Sequence, residues 1–437
     1  MAGKKRQIVV VGGGAGGLGL VRRLAARYGN RDHDIILVDR NVSHIWKPLL
    51  HEVAAGSLDA NLDEVGYGGH AARWNYRFFH GELERIDREQ REIVTAPSYD
   101  DRGRLITSRH AIRYDYLVLA VGGVSNDFGV NGVREHAMFL EHRGQADEFR
   151  QRLLNACLRT NDEQRRGDRH AKVRVAIVGG GATGVELAAE LYNAAKALRH
   201  YGLEVFDETK LEVTLVEAGP RILPALDPEL ADTARDELEK LGVAVKVDTQ
   251  VSSVAEDGIE TTQGNRLPAE IVVWAAGVKG PDALPFESDL ETTTLNTFVV
   301  TPTLQTSKDE RIFAIGDCAS CLLPGEARPV PPRAQAAHQM ADCVYDNLER
   351  LRRGKEPKPF RYRDRGSLVS LSRFSTVGSL MGNLVGGRMA VEGRLARIAY
   401  LSLYRLHIIA IHGWRRGLAM ILLGHVNRVV RPKLKLH

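Results

Sequence analysis

Two glycine triplets carry the most defined chemistry in this chain. Gly12, Gly14 and Gly17 stand in G-x-G-x-x-G register, and Gly179, Gly181 and Gly184 repeat it 167 residues later. In such a loop the first glycine makes the tight turn. The second admits a pyrophosphate to the backbone, and the third lets the following helix pack on the preceding strand, with the phosphates at the helix N-terminus. Each triplet has a carboxylate downstream: Asp39, 27 residues after Gly12, and Glu217, 38 residues after Gly179. A carboxylate there accepts hydrogen bonds from ribose hydroxyls and repels a 2′-phosphate.

Both triplets need a strand before them and a helix after them. Gln7–Val11 and Lys172–Val178 are β-branched runs that end at the loops, and both loops lead into helix-like stretches, to about Tyr28 and over Val185–Arg199. Asp34–Asp39 and Leu211–Glu217 read as the second strands, with an insertion near Arg199–Lys210 explaining the longer spacing to Glu217. Two further runs, YDYLVLAVG closing at Gly122 and IVVWAAG closing at Gly277, follow the loops by about 100 residues. The duplication predicts an α/β chain with two Rossmann-like dinucleotide-binding domains. Asn161–Lys172 is polar and reads as a surface linker, and Pro324–Pro332 as a loop.

Two dinucleotide sites imply two cofactors that exchange electrons, and the natural pair is a flavin with a nicotinamide. The segment I-F-A-I-G-D, ending at Asp317, resembles the late motif of two-dinucleotide flavoproteins. That resemblance assigns Asp317 to the ribitol chain of FAD, the first loop to FAD and the second to NADH. A disulfide reductase would need a cysteine pair beside the flavin, and His44–Gly56 (HIWKPLLHEVAAG) has none. Cys318 and Cys321 form one C-x-x-C without the second pair that zinc requires, so no metal is expected. Cys157 and Cys343 read as ordinary thiols.

The segments HIWKPLLHEVAAGSLD, GGGATGVELAAEL, VEAGPRILPAL, VVWAAGVK, AIGDCAS, PPRAQAAHQMA and LSLYRLHIIAIHG together resemble the type II NADH:quinone oxidoreductases, with the likeness strongest to the bacterial respiratory NADH dehydrogenases. These are single-subunit, non-pumping FAD enzymes of respiratory membranes. The resemblance implies hydride transfer from NADH to non-covalent FAD and two-electron reduction of a membrane quinone. It places Lys47 and Gly122 with FAD and Gly277 with NADH. It makes the A-Q-x-A-x-Q run, with Gln335 and Gln339, the quinone site, and makes Glu186 a catalytic residue near the flavin. By residue type alone, the glutamines read first as helix surface and Glu186 as a carboxylate favoured by a helix N-terminus, and only the resemblance reverses this. His338 is a further proton donor in principle, although a lone histidine is more often structural. A sulfide:quinone reductase and a slowly turning NADH-binding sensor are the alternatives.

Composition bounds the rest. A chain of 437 residues, 43% hydrophobic and 26% charged, is globular and long enough for two or three domains without disulfides. The net charge of +5 is unevenly spread: residues 393–437 hold nine Arg or Lys and no acid, leaving −4 on the remainder. Taken as one helix, Arg394–Arg416 gathers Arg394, Arg397, Arg405, His412, Arg415 and Arg416 within a ~100° arc, with Leu403, Leu406, Ala399 and Ala410 opposite. Leu401 and Ile408 fall inside the arc, and Gly413 is a potential break. Such a helix lies on an anionic lipid surface, which is favoured here over nucleic acid. No secretory signal and no run of 18 uncharged apolar residues occurs, so the expectation is peripheral attachment to the cytoplasmic face of a bacterial inner membrane. A homodimer stays open. The expected boundaries are 1–125 and 290–360 for a discontinuous FAD domain, 126–289 for an inserted NADH domain, and 361–437 for the membrane-associating region.

Overall fold

The computed structural model describes residues 5–29, 33–100, 102–198, 208–282, 288–371, 375–382 and 387–430. It divides into two compact units. The first comprises residues 1–44, 64–124 and 278–364, and the second residues 45–63, 125–277 and 365–437. The cuts differ from the sequence boundaries in three places: residues 278–289 fall in the first unit, residues 365–437 join the second unit, and so do residues 45–63. Residues 45–63 belong with the second unit because the short helix Leu50–Ala54 packs on helices Arg143–Arg165 and Ala182–Leu198.

In the first unit, strand Arg6–Val11 runs parallel to His33–Asp39 on one side and to Tyr116–Leu119 on the other. Asp309–Ala314 continues the sheet in parallel beyond Tyr116–Leu119. Eight strands form this sheet, with Arg77–His80 at one edge and Ala319–Cys321 at the other. The central strands are near-continuous apolar runs because both faces are covered, and Ile8, Val9, Val10 and Val11 are all buried. Helix Gly17–Tyr28 buries Leu18, Leu20, Val21, Leu24, Ala25 and Tyr28, the stripe its spacing requires.

The second unit repeats the arrangement. Val173–Val178 lies between Leu211–Val216 and Ile271–Trp274, all parallel, within a five-stranded sheet. In both units the glycine loop therefore leaves the carboxyl end of a central strand, where the chain steps to opposite sides of the sheet. A three-stranded antiparallel sheet, Gly366–Leu371, Ser375–Gly382 and Gly387–Glu392, packs on helices Ala182–Leu198 and Gly393–His412.

Two expectations change. The polar stretch from Asn161 is not a linker throughout, since helix Arg143–Arg165 extends into it. Its buried face, with Ala146, Phe149, Leu153, Ala156, Cys157 and Thr160, carries the helix past the point where composition turns polar. The C-terminal region is not one helix. Gly413, at φ 76°, ends helix Gly393–His412, and a second helix begins at Trp414 and runs to Val430. Gly417 then passes so close to Ile409 that a Cβ would lie 2.8 Å from its α-carbon. The single arc therefore does not exist as drawn. His407 and Ile411 are buried, with His407 stacked on Trp46 at 3.8 Å between ring centres. Arg405, Leu406, Trp414, Arg415, Arg416, Leu418, Leu422 and Leu423 are exposed instead. Arg431, Lys433, Lys435, most of the insertion near Arg199–Lys210, and the side chains of Arg394, Arg397, Arg428, Leu403, Leu401 and Ala399 lie outside the described residues. No described helix is long and apolar enough to cross a membrane.

Candidate active site

The two glycine loops share one backbone plan. Gly12 donates its N–H to Val38, and Gly179 donates to Val216, each at 2.8 Å. A Cβ on Gly17 would lie 1.9 Å from the Gly12 carbonyl oxygen, and one on Gly184 would lie 2.1 Å from that of Gly179. These glycines are dictated by close packing of chain on chain. Gly14 and Gly181 are different, because a Cβ on either would meet nothing within 4 Å. No protein atom demands glycine there. That open space leaves room for a pyrophosphate held by backbone N–H groups.

The two acids sit as their spacing requires. Asp39 Oδ2 accepts from Gly13 N at 2.6 Å, and Glu217 Oε2 accepts from Gly180 N at 2.7 Å. Asp39 Oδ1 also accepts from Asn41 N and Asn41 Nδ2, at 2.7 and 3.1 Å, and Tyr67 Oη lies 3.3 Å from Oδ2. Glu217 Oε1 accepts from Gly219 N at 2.7 Å. Asp39 is buried and crowded, whereas Glu217 is half-buried with one backbone N–H on each oxygen. A carboxylate offers about four acceptor positions, so Glu217 keeps room for two ribose hydroxyls.

Gly122 closes the strand beside the first loop, and Asp317 lies on the turn Gly316–Cys318 at the end of Asp309–Ala314. A Cβ on neighbouring Gly123 would lie 3.2 Å from Asp317 Cβ. Helix Ala334–Arg352 meets the same place: a Cβ on Gly16 would lie 2.9 Å from the Ala337 carbonyl oxygen, and Gly316 faces the Ala337 methyl. Ala337 of A-Q-x-A-x-Q thus sits where this helix packs closely on the first loop and the Asp317 turn. Gln335 Nε2 donates to Asp364 Oδ1 at 3.1 Å, while Arg333 Nη1 meets the other oxygen at 3.2 Å. Gln339 pairs with the backbone of Arg363 at both ends of its amide, each at 3.0 Å, and its nitrogen also reaches the Gln335 carbonyl at 3.3 Å. Both N–H groups of Gln339 are therefore committed to the chain, which makes it a brace for the helix start.

In the second unit Gly277 ends the loop after Ile271–Trp274, with the Phe128 ring against its α-carbon. Glu186 is buried, but away from the first turn of helix Ala182–Leu198. The N-terminal dipole therefore does not account for it. Glu186 Oε1 accepts from Ser370 N at 3.0 Å, and Oε2 lies 3.5 Å from His51 Nδ1. His51 is buried on helix Leu50–Ala54, and one turn past Glu186 lies buried Glu190, held by Asn193 Nδ2 at 2.9 Å. Burial pushes the His51 imidazole down to about 4, against the opposing pull of Glu190. Lys47 stands exposed on the turn Lys47–Leu49, in the second unit.

Sequence reasoning missed Tyr67, His51, Glu190 and Asp364. His51 lies within HIWKPLLHEVAAGSLD, and Glu190 follows Glu186 at helical spacing. Tyr67 and Asp364 had no local signal. All four cysteines are free thiols. Burial raises Cys318, Cys157 and Cys343 to about 12 and Cys321 to about 11, so none is a thiolate nucleophile near neutral pH. Among the described residues no cluster suits a metal ion.

Two repeated sheets with paired phosphate loops define a pyridine nucleotide-disulphide oxidoreductase fold, and the model of the pyridine nucleotide-disulphide oxidoreductase family matches residues 6–341. Within that class, the chain belongs to the type II NADH:quinone oxidoreductases. It is 42% identical to the type II NADH:quinone oxidoreductase of Haemophilus influenzae, over 99% of this chain and 100% of that protein. The structure of NDH2 from Plasmodium falciparum, solved in complex with NADH, superposes with a TM-score of 0.80 at 19% identity, covering 99% of this chain and 100% of that one. The sulfide:quinone oxidoreductase of Aquifex aeolicus superposes at 0.70 and 19% identity, covering 97% and 95%, and shares the fold.

Proposed function

We propose that the chain oxidises NADH and reduces a membrane quinone to the quinol, with FAD in the first loop and NADH in the second. The observation that carries this reading is the repeated loop: in each of two sheets an open glycine, Gly14 or Gly181, lies beside a carboxylate, Asp39 or Glu217, bonded to the loop backbone. FAD bound there would supply a two-electron relay between hydride donor and quinone. Gly12, Gly14 and Gly17 bring the chain close to its pyrophosphate, Asp39 accepts from its ribose, and Gly122 and Asp317 line the strand ends beside it. Gly179, Gly181, Gly184, Glu217 and Gly277 serve NADH in the same way.

On the quinone side, Gln335 is the hydrogen-bonding group and Gln339 its brace. Reduction to a quinol consumes two protons. Glu186 carries one through its buried cluster with His51. Attachment is peripheral, on the cytoplasmic face, and the exposed Arg405, Trp414, Arg415, Arg416, Leu418, Leu422 and Leu423 form the surface that meets anionic lipid.

Anaerobic titration tests the reading. NADH should bleach the flavin spectrum of the purified protein, and a quinone analogue should restore it. A bleached protein that quinone does not reoxidise points to the sensor alternative, and bleaching by sulfide in place of NADH to a sulfide:quinone reductase.

A further inference from the structure

Tyr67 occupies a position that the function above leaves unused. It begins helix Tyr67–Trp74, is 2% exposed, and presses its ring against Gly13, where a Cβ would lie 2.4 Å from its hydroxyl oxygen. That hydroxyl lies 3.0 Å from the Gly13 carbonyl and 3.3 Å from Asp39 Oδ2, so its single proton is shared between them. The Gly13 N–H meanwhile donates to the same Asp39 oxygen. Gly13 is thus held at both ends of its residue. Tyr67 is itself fixed, by its N–H to the Val42 carbonyl at 2.9 Å and by the Phe78 ring at 5.1 Å.

The second loop solves the same problem without a tyrosine. The Gly180 N–H donates to Glu217, and the Gly180 carbonyl accepts from the backbone N–H of Leu223 at 2.7 Å. The residue over its α-carbon is Ile222, which has no hydrogen-bonding group. One loop therefore takes its closure from the adjoining chain, and the other from a buried tyrosine on a separate helix.

We propose that Tyr67 is a flavin-retention residue: its hydroxyl holds Gly13 and Asp39 in ribose-accepting geometry, so the nucleotide in the first loop leaves slowly while the second loop exchanges freely. This rests on the placement of FAD in the first loop. Tyr67 is a positioning residue that acts through Asp39. A ribose hydroxyl bound there would take the place of Asn41 Nδ2 on Oδ1, leaving Gly13 and Tyr67 on Oδ2.

The test uses the full-length holoenzyme and its Tyr67→Phe variant, which keeps the ring and removes only the hydroxyl. Free-flavin fluorescence after dilution gives the release rate, and titration of FAD into apoprotein gives the affinity. Loss of one hydrogen bond to a charged group predicts release about tenfold faster and affinity about tenfold weaker. The NADH dissociation constant should not move, and the thermal midpoint of the apoprotein should fall by no more than the loss of one buried hydrogen bond explains. Asp39→Asn and the double variant complete a cycle: non-additive losses support action through Asp39, and additive losses overturn it. Unchanged release from Tyr67→Phe overturns the proposal, as does a fall in apoprotein stability that accounts for the whole effect. Gly14→Val separates the premise from the proposal. Full flavin content in that variant overturns FAD in the first loop and the proposal with it, whereas flavin loss there with unchanged release from Tyr67→Phe overturns the proposal alone.

Discussion

The first and second glycine loops have the same register, the same strand before and helix after, and the same acid at the next strand end. They differ in what surrounds that acid. Asp39 is buried beneath Tyr67 with several donors already on it, and Glu217 is half-buried with one backbone N–H on each oxygen. A crowded, buried carboxylate suits a ligand that stays, since each exchange must remake several bonds in a region of low dielectric. A half-open carboxylate suits a ligand that binds and leaves in every turnover. The lesson is that a shared motif specifies the kind of ligand, while the second layer of contacts specifies how long it stays.

The largest effect expected is at the two open glycines. Gly14→Val should yield folded protein without flavin, and Gly181→Val should yield flavin-loaded protein whose NADH affinity falls by about a hundredfold or more, the cost of losing two charge-assisted hydrogen bonds. Flavin absorbance per polypeptide and NADH titration by calorimetry read the two results. Exchange of the two phenotypes would show the loop assignments to be reversed.

The buried histidine sharpens the comparison on the side of the second unit. His51 has a folded-state value of about 4 against an ordinary 6.5, so the unfolded chain takes up a proton that the folded chain refuses. Stability should be full above pH 6.5 and fall as pH drops towards 4, by at most on the order of 3 kcal/mol from this group. His51→Gln should flatten that part of the profile, as measured by urea midpoints between pH 4 and 7. An unchanged slope would mean that other groups carry the acid sensitivity.

Glu217→Gln tests the open acid. The unmodified protein should prefer NADH because a carboxylate faces the position of a 2′-phosphate, and the variant should narrow the ratio of kcat/KM values by about tenfold. Equal efficiency with NADH and NADPH before any substitution would remove Glu217 from the ribose.

The smallest effect expected belongs to the brace. Gln335→Ala should slow quinone-driven reoxidation by about tenfold while leaving flavin reduction by NADH alone, the scale of one lost hydrogen bond. Gln339→Ala should act in the same direction by less, about threefold, since it loosens the helix start instead of removing the ligand group. Stopped-flow spectra separate the half-reactions. Equal losses in both would show that the helix start governs the flavin site as a whole.

Much of this architecture was legible in one dimension. Each loop needed a strand before it and a helix after it, and Arg6–Val11, Gly17–Tyr28 and Val173–Val178 lie within a residue or so of where the hydrophobic pattern placed them. Local chemistry misled at the polar end of helix Arg143–Arg165, where an apolar stripe on the buried face outweighs average composition. It misled again at the C-terminal helices. A helical wheel assumes a straight axis, and Gly413 changes the direction of the chain.

The sequence by itself determined the fold class, the two phosphate loops and the acids at their strand ends, because backbone turns and strand periods are local and repeat with the chain. Only the tertiary structure decided which side chains complete those sites. Tyr67 reaches Asp39 across 28 residues, Gln335 reaches Asp364 across 29, and Ser370 reaches Glu186 across 184. His51 meets Glu186 because a five-residue helix packs on the helix of the second loop. No spacing rule encodes such meetings. Each depends on buried polar groups finding partners wherever packing has brought them, and that is settled only when the sheets and helices have closed together.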